Sequence, residues 1–299
     1  MVAAILLGSM FGCNEEILEE TGEPAYILDI EMIGDRVFWL GRLNSAYCLY
    51  SQSEKDSSLI KVFPEKTNVI FNKYSEKFFY LENNCVKSYT PVAGDSDLLD
   101  NIHADNLVWT FDEYILLKSD GYLLVDYKEK AMTELCDFPD GSIIVLGDYE
   151  DSIILWNETL QTVIQYNIFD NSWHTLIQFD YGTEFTMIGG AISKDNLYLE
   201  WNRGYIQKIN LQQPESGACE VKINHVIALA DTGFGLIAAV AEENSIAFYS
   251  LYQDEVLNSI GKWDNINYYL SGSCILRASE DKLVCALTTG KDMFIKNMS

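Results

Sequence analysis

The sequence has little positive charge. Its 299 residues include 20 Lys and Arg against 45 Asp and Glu, which gives a formal net charge of −25. A surface this negative repels phosphate backbones, so nucleic acid is excluded as a partner unless a basic patch exists. The same charge disfavours electrostatic binding to an anionic membrane. Aromatic residues make up 13% of the chain, a content that argues against disorder and predicts a folded core.

Residues that carry enzyme or metal chemistry are scarce and scattered. The three histidines form no His-x-x-x-His pair, and the sequence has no Gly-x-Ser-x-Gly elbow, no phosphate-binding glycine loop and no Cys-x-x-Cys motif. One acidic cluster lacks the glycine and the spacing of a calcium loop and is predicted to be a polar loop: Asp95, Asp97, Asp100 and Asp105. We therefore expect no enzymatic activity, no cofactor and no metal.

No apolar run is long enough to cross a membrane as a helix, which takes about 20 residues. Residues 1–12 are predominantly apolar, a pattern typical of the hydrophobic part of a secretion signal. Gly12 directly before Cys13 resembles the lipobox of bacterial lipoproteins, and this resemblance implies cleavage before Cys13 and its lipidation. Residues 14–24 contain five glutamates and no positive charge, so they are predicted to form an extended acidic tether.

From residue 25 onward the sequence has the periodicity of β-strands, with short β-branched and aromatic runs between clusters of Gly, Asn, Asp and Ser. Strand-like cores recur about every forty residues. They are Val37–Leu40, Phe78–Leu81, Tyr114–Leu117, Ile153–Trp156, Leu197–Glu200, Leu236–Ala239 and Ile275–Ala278. Another apolar run precedes most cores and two more strands follow, which is the four-stranded unit of a β-propeller blade. The sequence predicts an all-β fold: residues 25–299 form a single β-propeller of seven four-stranded blades, with six or eight as alternatives.

The first unit resembles a known class of proteins. Gly34–Leu40 followed by Cys48-Leu49-Tyr50 is similar to the blades of uncharacterised propellers in surface lipoproteins of Gram-positive bacteria. That resemblance implies a propeller fold and a cell-surface location, and it implies no activity. In another unit, Val163–Trp173 is similar to the tyrosine-to-tryptophan strand pair of kelch repeats.

The location follows from how residues 1–13 are interpreted. If they are a signal with a lipidated Cys13, the propeller is exported and touches the membrane only through its lipid anchor. In the alternative hypothesis they belong to the fold, and the protein is a cytoplasmic scaffold of the WD-repeat type. Mass spectrometry of the native N-terminus separates the two, because a lipidated Cys13 allows no cytoplasmic location.

Propellers bind ligands at the face where the inter-blade connections meet the loops between second and third strands, and function is concentrated in such loops. The repeat places the candidate ligand-binding residues in or beside these loops: His103, Asp105, Tyr181, Trp201, Asn202, Arg203, Tyr205, His225 and Asp264. Arg203 is a cation between aromatic residues in an acidic chain, although pairing with a neighbouring carboxylate would also explain it.

These observations predict a monomeric, non-enzymatic binding module that docks a protein, peptide or glycan on its ring face. The alternative is a degenerate glycan-active propeller, hydrolase or lyase-like, with carboxylates around a central funnel. It requires two acids about 5–10 Å apart in a concave pocket.

The remaining cysteines and the tryptophans favour structural roles. Cys48, Cys136 and Cys285 lie among apolar strand residues and are predicted to be core residues. Cys274 and Cys285 flank one predicted hairpin, and their offset from its centre leaves direct pairing open. Three tryptophans fall inside strands and are predicted to pack between blades: Trp39, Trp109 and Trp156.

Overall fold

The computed structural model describes residues 26–53, 57–65, 67–135, 138, 141–180, 186–202, 204–233, 235–252, 255–266, 274–288 and 292–298. The predicted signal and acidic tether lie outside these ranges. In the described part of the chain no helix is long and apolar enough to cross a membrane.

The chain forms seven antiparallel sheets, numbered blades 1 to 7 in chain order. Blades 1 to 3 contain β1 (Ile27–Ile33), β2 (Arg36–Leu43), β3 (Ala46–Gln52), β4 (Ser57–Val62), β5 (Val69–Asn72), β6 (Lys77–Glu82), β7 (Cys85–Thr90), β8 (Gly94–Leu99), β9 (Asn106–Phe111), β10 (Tyr114–Lys118), β11 (Tyr122–Asp126) and β12 (Ala131–Glu134). Blades 4 and 5 contain β13 (Ile143–Tyr149), β14 (Ser152–Asn157), β15 (Thr162–Asn167), β16 (Ser172–Gln178), β17 (Met187–Ser193), β18 (Asn196–Trp201), β19 (Ile206–Asn210) and β20 (Cys219–Val221). Blades 6 and 7 contain β21 (Val226–Asp231), β22 (Leu236–Glu242), β23 (Ser245–Tyr252), β24 (Glu255–Asp264), β25 (Cys274–Ala278), β26 (Lys282–Leu287) and β27 (Met293–Asn297). A 3-10 helix (Pro214–Ser216) lies between β19 and β20.

The hydrophobic core consists of seven separate clusters, and each cluster lies between two neighbouring blades. One cluster joins blade 7 to blade 1, where Val284 and Ala286 pack against Ile27 and Trp39. Alternating side chains along a strand point to opposite faces of a sheet, so every blade can bury residues against both of its neighbours. Because the last blade packs on the first, the molecule is a closed seven-bladed β-propeller, and the predicted fold class is confirmed.

The order of the strands defines two faces of the ring. Each blade runs from an inner first strand to an outer last strand, and consecutive strands are antiparallel. The inter-blade connections and the loops between second and third strands therefore share one face, called here the loop face. The turns between first and second strands and between third and fourth strands share the opposite face, called here the turn face.

The turns after three of the third strands share one hydrogen-bonding motif. β11, β15 and β19 end at Asp126, Asn167 and Asn210, and each side-chain Oδ1 accepts hydrogen bonds from backbone N–H groups two and three residues later. Asp and Asn side chains stabilise tight turns in this way. The repeat thus fixes the turn as well as the strands.

The strand predictions hold in six blades and fail in the seventh. The first six predicted cores lie within the second strands, as expected. Ile275–Ala278 is instead part of β25, the first strand of blade 7, and the second strand is β26. Both are short apolar runs, so the sequence pattern does not distinguish them.

The predicted polar loop around Asp95 and Asp97 is also wrong, because both residues lie in β8. Asp95 accepts hydrogen bonds from Tyr80 Oη (2.7 Å) and Lys61 Nζ (2.5 Å). Asp97 pairs with Lys87 at 3.2 Å. Alternating Asp and Ser residues are compatible with an outer strand, since one side of such a strand faces solvent.

Candidate binding site in the central channel

A cavity of about 840 Å³ lies on the axis of the ring. Its walls include residues from the first strand of every blade: β1, β5, β9, β13, β17, β21 and β25. Residues of the turns between first and second strands, such as Gly34, Lys73 and Ser279, line its mouth. The cavity is therefore the central channel, and it opens toward the turn face.

The channel is acidic. Two cations, Lys73 and Arg277, line it together with six carboxylate residues: Asp29, Glu31, Asp35, Asp148, Asp231 and Asp281. Both cations already contact carboxylates of the channel, so the remaining carboxylates give its mouth a negative potential. A cleft lined by charges of one sign concentrates ligands of the opposite sign.

One charged group of the channel joins blades 7 and 1. Arg277 Nη2 lies 2.6 Å from Asp29 Oδ1 and 3.7 Å from Glu31 Oε1. The Arg277 side chain keeps 39% of its surface accessible because it faces the cavity. Burial raises the pKa of Glu31, Arg277 opposes this shift, and the nearby Asp29 adds to it. The guanidinium thus holds two carboxylates close together on one strand.

A second charged group lies where β5 ends and β13 passes the channel. Lys73 Nζ lies 3.2 Å from Asp148 Oδ1, and the Tyr74 hydroxyl donates a hydrogen bond to Asp148 Oδ2. Burial and the adjacent Asp148 raise the pKa of Tyr74, so the phenol stays protonated as the donor. This contact joins blade 2 to blade 4 across the channel mouth.

The rest of the channel wall is largely apolar, with Phe71, Trp109 and Ile192 among its residues. Trp39 and Trp156 pack between blades as predicted. Trp109 is partly buried against the cluster between blades 3 and 4, as predicted, and it also lines the channel. Charged groups beside an apolar wall suit a ligand that combines a charge with an apolar part. Among the described residues no cluster of three or more His, Cys, Asp or Glu could hold a metal ion.

The site residues predicted from sequence lie away from this cavity, and none of the described ones lines it. Trp201, Asn202 and Tyr205 form the end of β18 and the loop to β19, and His225 lies in the connection before β21. The rings of Trp201 and Tyr205 stack with centroids 6.2 Å apart. Trp201 is buried between blades 4 and 5 with Tyr205 packed against the same cluster, whereas Gly204 and His225 of the loop meet at the junction of blades 5 and 6.

Gly204 allows the loop between β18 and β19 to approach the backbone of His225 closely. Its φ is +72°, and a Cβ there would lie 2.8 Å from Cα of His225. The amide of Val226 donates to the carbonyl of Gly204 at 3.0 Å. Only glycine allows both the conformation and the close approach.

The other predicted residues are spread over the ring. His103 and Asp105 are exposed in the connection before blade 3, and Asp264 ends the outer strand of blade 6. Tyr181, Arg203 and the predicted lipidation site Cys13 lie outside the described residues. The binding role of all nine residues stays a prediction.

Glu200 is a buried carboxylate that the sequence did not single out. It lies in β18 opposite Gly189 and is 5% exposed, and its Oε1 has no hydrogen-bond partner within the described residues. A Cβ at Gly189 would lie 3.5 Å from Oε2, so glycine leaves room for the carboxylate. Burial raises the pKa of Glu200 to about 7.

We expect Glu200→Gln to stabilise the protein at alkaline pH. A carboxyl with a higher pKa in the folded than in the unfolded state binds its proton more tightly when folded, so its contribution falls as pH rises from about 4.3 toward 7. Removing the charge should raise the free energy of unfolding by about 2 kcal/mol at pH 8.5, with little change at pH 4. Urea unfolding at both pH values measures this difference, and the exposed Glu129→Gln is the control. An equal effect at the two pH values would contradict the assignment.

The channel charges escaped the sequence analysis because they lie in first strands. Asp29, Asp148 and Asp231 occur where the repeat has its first strand, and Arg277 interrupts an apolar run. A charged residue inside a strand expected to be innermost is a signal for a channel site. For Arg277 that signal was hidden by the wrong strand assignment.

No protein-family model matches this chain, and no curated protein matches it by sequence. Solved structures match its fold at low sequence identity. The WD40 β-propeller domain of Doa1 is 11% identical with a TM-score of 0.62, and the match covers 92% of this chain and 94% of that domain. The computationally designed Ika8 protein is 11% identical with a TM-score of 0.56, over 92% and 97% of the two chains.

A third similar structure is the extracellular domain of BT4673 from B. thetaiotaomicron, which is 10% identical with a TM-score of 0.58. That match covers 92% of this chain and 39% of the other. At these identities the likeness concerns the fold alone. The chain therefore shares the β-propeller architecture of WD40 and other propeller domains.

Proposed function

We propose that this protein is a binding module whose central channel receives a cationic group of a protein or peptide ligand at the turn face. The observation that carries the proposal is the channel mouth, where Asp231 and Asp281 are exposed and both channel cations already contact carboxylates. Lysine and arginine side chains combine a positive end with an apolar stem. Such a side chain matches carboxylates at a mouth followed by an apolar wall.

The location proposed for this module comes from the sequence. Gly12–Cys13 and the acidic residues 14–24 support a lipid-anchored protein outside the cytoplasm. An anchored ring would present a rigid face to soluble or neighbouring partners. The mass of the native N-terminus tests this part separately from the binding proposal.

The glycan-active hypothesis is supported less well. Asp29 and Glu31 are two carboxylates close together in a central funnel, as that hypothesis requires. However, Arg277 contacts both carboxylates, whereas a hydrolase needs room for the sugar between its two carboxylates. We therefore favour binding over glycan hydrolysis.

Binding of labelled peptides tests the proposal. We expect a Lys- and Arg-containing hexapeptide to bind and a Glu-containing hexapeptide of the same length not to bind, with affinity falling as salt increases. Asp231→Asn and Asp281→Asn should each weaken binding roughly threefold. Fluorescence anisotropy measures the affinities.

A matched control is available in blade 4. Asp170 is an exposed turn aspartate whose Oδ1 accepts the Ser172 amide at 3.0 Å, just as Asp231 Oδ2 accepts the Gly233 amide at 3.0 Å. Asp170 lies in the turn before the outermost strand, away from the channel. Asp170→Asn should leave binding unchanged, and an equal loss in this variant would mean that general surface charge attracts the peptide.

A further inference from the structure

Two cysteines of blade 7 lie in contact. Cys274 begins β25, Cys285 lies in β26, and their Sγ atoms are 3.1 Å apart. Cys274 pairs with Leu287, and Cys285 pairs with Leu276. The thiols are therefore diagonal neighbours on one face of the blade, close enough for their side chains to meet. Both are free cysteines.

The two thiols differ in their surroundings. Cys285 is fully buried between blades 6 and 7, where it belongs to a cluster with Phe248 and Leu276. This burial, with the neighbouring Cys274, raises the pKa of the Cys285 thiol well above its usual value. Cys274 is only partly buried. An oxidant from solvent therefore meets Cys274 first.

We propose that Cys274 and Cys285 form a dithiol that closes reversibly to a disulfide, with a peroxide as the oxidant. The Cys274 thiolate attacks one peroxide oxygen, the O–O bond breaks, and the leaving hydroxide takes up a proton to become water. Cys274 is then a sulfenic acid. The Cys285 sulfur attacks the Cys274 sulfur, the S–O bond breaks, and the Cys285 proton leaves with the hydroxyl as a second water.

The reaction balances in atoms and electrons. Two thiols and one hydrogen peroxide give one disulfide and two waters, so the sulfurs lose two electrons and the peroxide oxygens gain them. A disulfide bond of about 2.05 Å requires the sulfurs to approach each other by about 1 Å. Among the described cysteines, Cys48, Cys85 and Cys219 have no thiol in such contact. The reaction should therefore be selective for one pair.

The disulfide would act on the strand that carries the channel arginine. Cys274 lies three residues before Arg277 in β25, and the bond would tie β25 covalently to β26. β25 lines the channel and contacts blade 1 through Arg277. Oxidation of the dithiol would thus introduce a cross-link beside the channel wall. This inference does not depend on whether the channel binds peptides.

The test uses the full chain treated with a small excess of hydrogen peroxide, then alkylated and digested for mass spectrometry. We expect a Cys274–Cys285 cross-linked peptide that is lighter by two hydrogen atoms and is lost on treatment with dithiothreitol. The oxidised protein should also unfold at a higher temperature than the reduced protein, since a cross-link constrains the unfolded chain.

Variants distinguish the dithiol from general oxidation. In Cys285→Ala, which keeps an apolar side chain in the core, Cys274 should proceed to sulfinic acid because no thiol resolves the sulfenic acid. In Cys274→Ser, peroxide should no longer change the unfolding temperature. Cys219→Ser, at an exposed cysteine of blade 5, should still form the cross-link. Recovery of wild-type Cys274 and Cys285 as separately alkylated or sulfinic residues would overturn the proposal.

Discussion

Trp201→Ala is expected to cost about 3–5 kcal/mol of folding free energy, the range for removing a large aromatic side chain from a core. Trp201 is 1% exposed and lies between blades 4 and 5. Its ring makes edge contacts with Trp156 and Phe179, with centroid distances of 5.7 and 5.3 Å. The variant loses these contacts and the stacking with Tyr205, and it leaves a cavity between blades 4 and 5.

Thermal unfolding monitored by circular dichroism measures this effect, and we expect a fall of roughly 5–8 °C in the midpoint. Trp173→Ala is the matched control, because Trp173 lies on the outer strand β16 and is 43% exposed. That change should move the midpoint by less than about 1 °C. If both variants are equally stable, the packing described between blades 4 and 5 is wrong.

Arg277→Met should be the most damaging change in the channel. Methionine keeps much of the side-chain length but leaves Asp29 and Glu31 without their guanidinium partner. Removing one member of a fully buried ion pair costs about 3–5 kcal/mol, and the partial accessibility of Arg277 reduces our expectation to about 2 kcal/mol. The loss is measured as the free energy of unfolding in urea.

The loss of unfolding free energy in Arg277→Met should increase with pH. Burial raises the pKa of Glu31, and Arg277 opposes that shift, so the variant carboxyl holds its proton still more tightly when folded. Its stabilising contribution is then present at low pH and declines as pH rises above the ordinary glutamate value of about 4.3. In the unmodified protein the same decline extends to the folded Glu31 pKa of about 8. The two proteins therefore differ only as pH approaches and passes that value, and the deficit of the variant should be larger at pH 9.5 than at pH 5.

Two further variants make this prediction specific. Glu31→Gln added to Arg277→Met should recover about 1 kcal/mol at pH 9.5, because it removes a carboxyl that must either bind a proton or stay charged without its guanidinium partner. Lys128→Met breaks an ion pair with Glu113 at 3.3 Å on the surface, where a single pair contributes little. A deficit in Arg277→Met that is independent of pH would show that packing, and not charge, explains the loss.

The fold was predictable because the apolar pattern that specifies each blade is local in the sequence and recurs in every blade but the last. Each second strand, from Val37–Leu40 to Leu236–Ala239, is a compact apolar run, and it must be so because both of its faces are covered by neighbouring blades. Blade 7 broke the pattern because β25 and β26 are equally short and apolar. Asp126, Asn167 and Asn210 at the ends of third strands offered a further marker of the repeat.

The channel was not predictable in the same way. Its charges come from positions far apart in the chain, and Asp29 and Arg277 are 248 residues apart yet bonded. Periodicity shows that a residue lies in a strand, but it does not show which partner a charge meets across the axis. The repeat did assign Asn202 and Tyr205 to the loop between the second and third strands of one blade and His225 to the connection before the next blade.

The way the ring closes has a mechanical consequence. In the described residues no strand of blade 1 belongs to the sheet of blade 7, so this junction depends on side-chain packing and on polar contacts such as Arg277 with Asp29. The described strands of blades 1 and 7 share no backbone ladder, so these strands can separate without breaking one. Under a pulling force we expect the ring to open at this junction first, and the six remaining junctions to separate afterwards.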